Sequence, residues 1–272
     1  MPFEVVPIKP QIGAEVRTDV ATLLGGERAA DLRRLLEERV VLVFRDLFLD
    51  DAQQVAIART LGTPLKEGGG EDGVYRISLD GAQNPKADYL RGAFYWHIDG
   101  STQEKPYYAT LLRPVVLAPT GGETEFANTA AAYEALPDEE KRALEGLRVV
   151  HSMERSLWYV YPEPSLAQVE AWQRVRPKSC PLVWAHASGT RSLLIGATAD
   201  YVEGLSPEES RRLLVRLREF ATQPPFVYRH RWRLGDLVIW NNTAAMHRAL
   251  PYPADCGRLL IRTTLAGEEA VH

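Results

Sequence analysis

Short strand-like runs alternate with glycine and proline from about residue 68 onward, and this pattern limits the chain to mainly β architectures. Runs rich in β-branched and aromatic residues favour strands, and the glycines and prolines between them favour turns. Residues 188–190, Ser-Gly-Thr, separate two such runs and predict a hairpin. Strands are predicted over residues 5–8, 40–44, 107–117, 182–186, 191–195, 226–228, 237–240 and 259–261.

The predicted helices are few and lie between these strands. Leucines among charged residues predict an amphipathic helix early in the chain, and Asp50 begins a second helix. Pro137 interrupts the third helical stretch, and Ser206 caps the fourth. The predicted helices cover residues 28–39, 50–61, 130–147 and 207–222. The pattern as a whole predicts a mainly β fold with flanking α-helices, built as an antiparallel sandwich or barrel.

The 272-residue chain is predicted to form a single domain spanning residues 1–272. No internal repeat is evident, and no linker is long enough to separate two domains. Residues 152–180 carry three prolines and no clear periodicity. We therefore predict an irregular insertion there, of the kind that forms lids over binding sites.

Charge and hydropathy argue against two classes of partner. The formal net charge is −4 and there is no basic run, so nucleic acid is not expected. No stretch of about 18 apolar residues could span a membrane, and the first residues lack the features of a secretory signal. We therefore expect a cytoplasmic protein that binds a small molecule and assembles into a homo-oligomer.

His97, Asp99 and His247 are the best candidates for metal ligands. Cys180 and Cys256 lie far apart, so a metal would have to be held by histidine and carboxylate. In an extended segment residues i and i+2 project to the same side, so His97 and Asp99 can face one ion. His247 follows a turn and a strand over residues 235–242, and we expect it just past the strand end, at the rim of a barrel. For the other internal histidines we predict structural roles; they are His151, His186 and His230.

Two histidines and one carboxylate leave three positions of an octahedral metal open. That arrangement suits iron(II), which must bind a chelating co-substrate and oxygen together. A zinc-dependent hydrolase would need only one open position and a nearby general base. A catalytically silent ligand-binding protein is the other alternative. Arg258 and Arg262 follow His247, and a guanidinium is the natural partner of a dicarboxylate because it forms two parallel hydrogen bonds.

With these residues in place, the chain resembles the taurine/2,4-dichlorophenoxyacetate dioxygenase family of iron(II)- and 2-oxoglutarate-dependent enzymes. The resemblance covers nearly the whole chain. It includes Trp96-His97-Ile98-Asp99, residues 235–240 and the step from His247 to Arg258. The chain is most similar to the aryloxyacetate branch, which it resembles at residues 122–126, 133–137 and 226–232.

The resemblance implies a double-stranded β-helix (jelly-roll) core and a set of residue roles. Arg258 would pair with the distal carboxylate of 2-oxoglutarate, assisted by the hydroxyl of Thr124. Arg262 would lie near the proximal carboxylate of the co-substrate or the acid group of the substrate. The implied reaction hydroxylates, and thereby sometimes cleaves, a small organic acid with O2 as second co-substrate, releasing succinate and CO2. The implied Fe(2+) ligands are His97, Asp99 and His247.

Three positions narrow the expected chemistry. Ala93 stands where taurine-specific members look to have an asparagine, and their sulfonate-binding histidine has no match near residue 66. Related halogenases replace the metal-binding carboxylate with a small residue, whereas Asp99 is present here. We therefore expect hydroxylation rather than halogenation, and an aryloxyalkanoate rather than taurine as the substrate.

Overall fold

The computed structural model describes residues 3–66, 73–82, 84 and 86–272. The strands are β1 (Glu4–Pro7), β2 (Ala14–Arg17), β3 (Val41–Phe44), β4 (Tyr75–Ile77), β5 (Ala109–Val116), β6 (Thr124–Asn128), β7 (Arg148–His151), β8 (Lys178–Pro181), β9 (Val183–Ala185), β10 (Arg191–Leu193), β11 (Ala199–Val202), β12 (Val227–His230), β13 (Leu237–Asn241), β14 (Ala245–Ala249) and β15 (Leu259–Thr264). The helices are α1 (Val20–Gly25), α2 (Ala29–Arg39), α3 (Asp51–Leu61), α4 (Ala87–Leu90), α5 (Thr129–Glu134), α6 (Asp138–Leu144), α7 (Met153–Leu157), α8 (Leu166–Gln173) and α9 (Pro207–Ala221). Short 3₁₀ helices cover Arg91–Phe94 and Pro224–Phe226.

Two sheets face each other across an apolar core. The larger sheet has the order β1-β2-β3-β13-β5-β15-β4, and the smaller has the order β12-β6-β14. All pairings within them are antiparallel except that of β2 with β3. Val238 and Trp240 of the larger sheet share one buried cluster with Phe126 and Tyr228 of the smaller. The predicted mainly β fold with a jelly-roll core is therefore confirmed.

Helices cover the outer face of the larger sheet. Side chains alternate along β13, so Leu237 and Ile239 point away from the inter-sheet core, into a second cluster with Leu36 of α2 and Ile57 of α3. Helix α3 begins with Asp50 as its N-cap, in a capping box closed by the residue three positions on, and ends before Gly62. Both helices match their predicted bounds within a residue.

The outer face of the smaller sheet is covered by α5 and α9. Ala127 and Met246 alternate with the inward-facing residues of β6 and β14 and pack into a third cluster with Tyr133 and Leu217. Pro137 separates α5 from α6, as predicted. The predicted Ser206 cap of α9 is also confirmed, since its hydroxyl accepts the backbone N–H of Glu209.

Residues 152–180 are more ordered than the sequence indicated. They contain α7 and α8 and lead into β8, so the expectation of an irregular segment is wrong. Helices of five and eight residues are too short to show a clear apolar period. Their serine N-caps, Ser152 and Ser165, were the available signals. The helices are joined by ring contacts, including Trp158 with Trp172 at 6.2 Å.

Among the described residues, no helix has the length and apolar character needed to cross a bilayer. Cys180 is buried, Cys256 is partly buried, and both are free thiols.

Candidate metal centre and active site

His97, Asp99 and His247 converge, although His247 lies far along the chain. Each offers one ligand atom, and these atoms all lie within 4.8 Å of one another. Nε2 of His97 is 3.6 Å from Oδ1 of Asp99, and Nε2 of His247 is 3.6 Å from Oδ2. Atoms bonded to one ion at about 2.1 Å lie about 3.0 to 3.6 Å apart when they subtend angles of about 90° to 120°. The spacing therefore fits one shared ion, and no other such group occurs among the described residues.

A backbone bridge brings the two histidines together. The amide of His247 donates to the carbonyl of His97 at 2.9 Å, and the amide of His97 donates back at 3.0 Å. The imidazole centroids are consequently 4.2 Å apart. Gly196 allows the chain to approach this bridge closely, because it has a φ of +125° and a Cβ there would lie 3.1 Å from the carbonyl oxygen of Trp96. The metal ligands are thus fixed by backbone structure as well as by side-chain packing.

Two polar atoms show that the cluster suits a cation. Nδ1 of His97 lies 2.8 Å from the carbonyl oxygen of Tyr95. A carbonyl only accepts, so Nδ1 carries the proton and Nε2 presents its lone pair to the site. Oδ2 of Asp99 is buried without a hydrogen-bond partner in the described part of the chain, and a bound cation would satisfy it. A neutral-imidazole and carboxylate donor set suits iron(II).

The electrostatics favour the protonation states that a metal requires. Burial opposes ionisation of Asp99, but His247, Arg262 and His97 together hold the pKa of its carboxyl below the ordinary value. Nη1 of Arg262 is 3.8 Å from Oδ2 of Asp99. Burial, reinforced by His97, lowers the pKa of His247 to about 3. Metal binding needs an ionised carboxylate and a neutral imidazole, and these shifts favour both.

A cavity of about 450 Å³ lies beside His97 and Asp99. Arg262 reaches it from β15, with its guanidinium 5.0 Å from the centroid of the Tyr75 ring. Tyr89 and Tyr107 also line the cavity, and residues 152–180 supply an apolar wall. The members of that wall are Met153, Leu157, Val160 and Val175. The cavity therefore combines the guanidinium of Arg262 with apolar and aromatic walls, and this combination suits an organic anion with an apolar body.

Arg258 lies apart from Arg262, at a second cavity of about 390 Å³. Arg258 is 4% exposed, its Nη2 donates to the carbonyl of Gly122 at 2.8 Å, and its guanidinium lies 4.3 Å from the Tyr252 ring centroid. Burial lowers the pKa of Arg258, and Tyr252 opposes that effect. No carboxylate of the described residues forms an ion pair with Arg258. A buried guanidinium in this state would be stabilised by a carboxylate ligand.

Thr124 belongs to the same region as Arg258. It is the first residue of β6, it is 4% exposed, and its hydroxyl oxygen accepts a hydrogen bond from Nε1 of Trp232 at 3.0 Å. Trp232 and Arg258 line the same cavity. All six residues singled out by sequence are therefore partly or fully buried. His97, Asp99, His247 and Arg262 lie together at the metal-ligand cluster, and Thr124 and Arg258 are connected through Trp232 at the second cavity.

One expectation about the site is wrong, and some lining residues were missed. His247 does not follow a strand end; it is the central residue of β14, which has none of the β-branched or aromatic residues by which the other strands were predicted. Trp232 stands in the family-like stretch 226–232, but its partner could not be identified from the sequence. Tyr75 and Tyr89 carry no local signal at all, because their place on the cavity depends on tertiary packing.

The remaining internal histidines form hydrogen bonds with other side chains. Nδ1 of His151 contacts Thr198 at 2.8 Å, and Nε2 of His186 contacts Ser192 at 2.8 Å. His230 is fully buried and uses both ring nitrogens. These contacts fit the structural roles predicted for the three residues.

Comparison with known proteins agrees with this geometry. The model of the family described as "Taurine catabolism dioxygenase TauD, TfdA family" matches residues 4–264. The alpha-ketoglutarate-dependent 2,4-dichlorophenoxyacetate dioxygenase of Cupriavidus pinatubonensis is 39% identical, with 97% of this chain and 98% of that protein covered. The (S)-phenoxypropionate/alpha-ketoglutarate-dioxygenase of Sphingobium herbicidovorans is 33% identical, over 98% of this chain and 96% of that protein.

A solved structure adds the fold. The crystal structure of AAD-2, in complex with Mn(II) and N-oxalylglycine, has a TM-score of 0.86 and 33% identity, and all of both chains is covered. Family model, relatives and fold agree over nearly the full length. The chain belongs to the TauD, TfdA family of dioxygenases.

Proposed function

We propose that this protein, an iron(II)- and 2-oxoglutarate-dependent dioxygenase by family, hydroxylates a small organic acid, with aryloxyalkanoates as the substrate class. The observation that carries the proposal is the convergence of His97, Asp99 and His247 within 4.8 Å, at a cavity that also contains Arg262. Relatives named for 2,4-dichlorophenoxyacetate and (S)-phenoxypropionate support the choice of an aryloxy acid.

The proposed site has three metal ligands and two separate arginines, each of which would bind a different carboxylate. His97, Asp99 and His247 would hold iron(II). Arg258 would bind the distal carboxylate of 2-oxoglutarate, with Thr124 donating a second hydrogen bond. We assign Arg262 to the acid group of the substrate rather than to the co-substrate, because it lines the larger cavity and Arg258 lines the other. His97, Asp99 and His247 are thus the proposed catalytic residues, and Thr124, Arg258 and Arg262 are the proposed binding residues.

The protein's contribution to the reaction is to orient the substrate and exclude water. When bound, iron(II) with 2-oxoglutarate and O2 supplies the oxidising power that converts a substrate C–H bond to C–OH, with release of succinate and CO2. Arg262 fixes one end of the substrate, and the wall formed by Leu157 and Val160 contacts its apolar body. Fixing both ends leaves only the carbon nearest the metal ligands exposed to oxidation. If that carbon carries an ether oxygen, the hydroxylated product is a hemiacetal, which breaks into a phenol and an oxo acid.

The proposal treats residues 1–272 as a single domain in which residues 152–180 act as a lid. The support is that α7 and the residues after it line the cavity without belonging to either of the two facing sheets. A lid predicts that 2-oxoglutarate, Mn(II) and a bound aryloxy acid protect this segment from limited proteolysis. We also propose a cytoplasmic location, where free thiols such as Cys180 persist, and a homo-oligomer, which light scattering tests.

The test is oxygen consumption and succinate formation with iron(II) and 2-oxoglutarate, across aryloxyalkanoates, alkyl carboxylates and sulfonates. We expect aryloxyalkanoates to stimulate both signals, and Asp99→Ala to abolish them. Product formation without oxygen or 2-oxoglutarate would instead indicate the metal-dependent hydrolase. Ligand binding with no turnover of any substrate would indicate the catalytically silent alternative.

A further inference from the structure

We propose that Trp232 is a positioning residue for 2-oxoglutarate, acting by fixing the hydroxyl of Thr124 as a hydrogen-bond donor. The inference deepens the proposed function and rests on it, because it takes Thr124 and Arg258 as the residues that hold the distal carboxylate. Trp232 itself need not touch the co-substrate.

The direction of one hydrogen bond carries the inference. Nε1 of Trp232 lies 3.0 Å from the hydroxyl oxygen of Thr124. An indole N–H can only donate, so the threonine oxygen must accept, and its own proton is left to donate elsewhere. No second hydrogen bond of this hydroxyl is formed within the described residues. A carboxylate is an acceptor only, so a threonine held in this way matches the distal end of 2-oxoglutarate.

Trp232 is itself held by a buried polar chain. His230 pairs with Thr124 across β12 and β6, and its ring contacts that of Trp232 edge-on at 4.4 Å. Nδ1 of His230 is 2.9 Å from the hydroxyl of Tyr228, and Nε2 is 3.0 Å from Oδ2 of Asp236. The same carboxylate oxygen accepts from Arg45 at 2.5 Å. A fully buried imidazole fixed at both nitrogens gives Trp232 a rigid surface to pack on.

The position of Trp232 favours a role in binding over packing alone. Its ring lines the cavity that Arg258 also lines, and its N–H donates to Thr124, which directly follows Gly122 and Glu123 of that cavity in the sequence. In addition to its packing, the indole makes one interaction that a phenylalanine could not make, the hydrogen bond that orients the Thr124 hydroxyl.

The experiment is a double-mutant cycle on the affinity for 2-oxoglutarate. Isothermal titration calorimetry of 2-oxoglutarate into Mn(II)-loaded protein measures the Kd without turnover. Trp232→Phe keeps a ring and removes the N–H, and we expect the Kd to rise about five- to tenfold. Thr124→Val removes the hydroxyl and should raise the Kd at least as much. The double variant should bind like Thr124→Val alone, because Trp232 would then have nothing to orient.

Trp158→Phe is the matched control. The indole N–H of Trp158 also donates to a side chain, that of Glu154, at 3.4 Å. Trp158 is the C-cap residue of α7 and does not line the cavity beside Arg258. This variant should leave the Kd unchanged. Mn(II) affinity and circular dichroism of each variant establish that it is loaded and folded.

The proposal is overturned if Trp232→Phe binds 2-oxoglutarate as tightly as the wild-type protein does. It is also overturned if Trp232→Phe weakens binding by the same factor in the Thr124→Val background as in the wild-type background. Thr124→Ser supplies a test that leaves Trp232 intact: it keeps the hydroxyl and should bind at least fivefold tighter than Thr124→Val. Equal affinities of those two variants would also overturn the proposal. Arg258→Met distinguishes failure of the proposed function from failure of the inference about Trp232. An unchanged affinity for 2-oxoglutarate in Arg258→Met would refute the proposal that Arg258 binds the distal carboxylate. A loss in Arg258→Met without one in Trp232→Phe would refute only the inference drawn here.

Discussion

Gly122→Ala tests whether Arg258 binds 2-oxoglutarate from the position that it occupies in the structure. A Cβ on Gly122 would lie 2.8 Å from Nε of Arg258 and 3.2 Å from its Cδ. Ordinary van der Waals contact is about 3.5 Å, so the arginine side chain would have to move by about 0.7 Å. Arg258 is only 4% exposed and is held by the Gly122 carbonyl and the Tyr252 ring, so the movement displaces the guanidinium within the protein.

The expected loss of affinity follows from that displacement. Hydrogen bonds to charged groups contribute roughly 1.5 to 3 kcal/mol, and a shift of this size weakens at least one of them. The Kd for 2-oxoglutarate should therefore rise between about tenfold and about 150-fold. Gly122 also has a φ of +76°, where an alanine is strained. That strain of about 1–2 kcal/mol should lower the Tm by about 2–8 °C.

Gly146→Ala is the control that separates the clash from the strain. Gly146 has a φ of +74°, and a Cβ there would meet no atom within 4 Å. Calorimetry with Mn(II)-loaded protein gives the Kd for 2-oxoglutarate, and thermal melting gives the Tm. Both variants should melt earlier, and only Gly122→Ala should bind 2-oxoglutarate more weakly. An unchanged Kd in Gly122→Ala, or an equal rise in Gly146→Ala, would refute the reasoning.

Three further expectations concern the metal, the substrate and pH. Asp99→Ala should weaken Mn(II) binding at least about a hundredfold by calorimetry, and near-normal binding would contradict the ligand assignment. Arg262→Met should raise the KM for an aryloxy acid at least about tenfold and leave the Kd for 2-oxoglutarate within about twofold. A similar rise in both constants would indicate that Arg262 contacts the co-substrate instead. Burial lowers the pKa of His151 from near 6.5 to about 4, so the unfolded chain takes up a proton in this window that the folded protein does not. Protonation of His151 in the unfolded chain should therefore lower the free energy of unfolding by about 2 kcal/mol between pH 7 and pH 5. Urea denaturation of His151→Gln should show a decrease that is smaller by about this amount. A decrease equal to that of the wild-type protein would exclude His151 as its source.

The sequence predicted those parts of the fold that have a local signal. The continuous apolar runs of β3 and β13 and the capped helices α3 and α9 were found close to their true bounds. Strands β6 and β14 were missed because their inner faces carry polar residues such as Thr124 and His247 in place of regular apolar alternation. The residues that make these strands important to the site therefore also hide them.

The site was predictable only in part, for a similar reason. His97 and Asp99 lie two positions apart, so their proximity follows from the chain itself. His247 joins them through a backbone bridge to His97. The sequence offered His247 as a candidate ligand, but its contact with the pair depends on the register of the sheet and could not be derived from spacing. The contact of Trp232 with Thr124 depends on the pairing of β12 with β6, so it could not be predicted from the spacing of the two residues in the sequence.

The separation of the cavity wall from the metal-ligand residues has a consequence for how such an enzyme can diversify. The donor atoms stand on β14 and on the segment that the His97–His247 bridge joins to it, whereas Leu157, Val160 and Val175 belong to a peripheral segment that neither sheet includes. Replacing this segment alters the shape offered to an incoming molecule but leaves the ion and its co-substrate undisturbed. New selectivities can therefore arise by grafting or point change at the periphery, without rebuilding the oxidation chemistry.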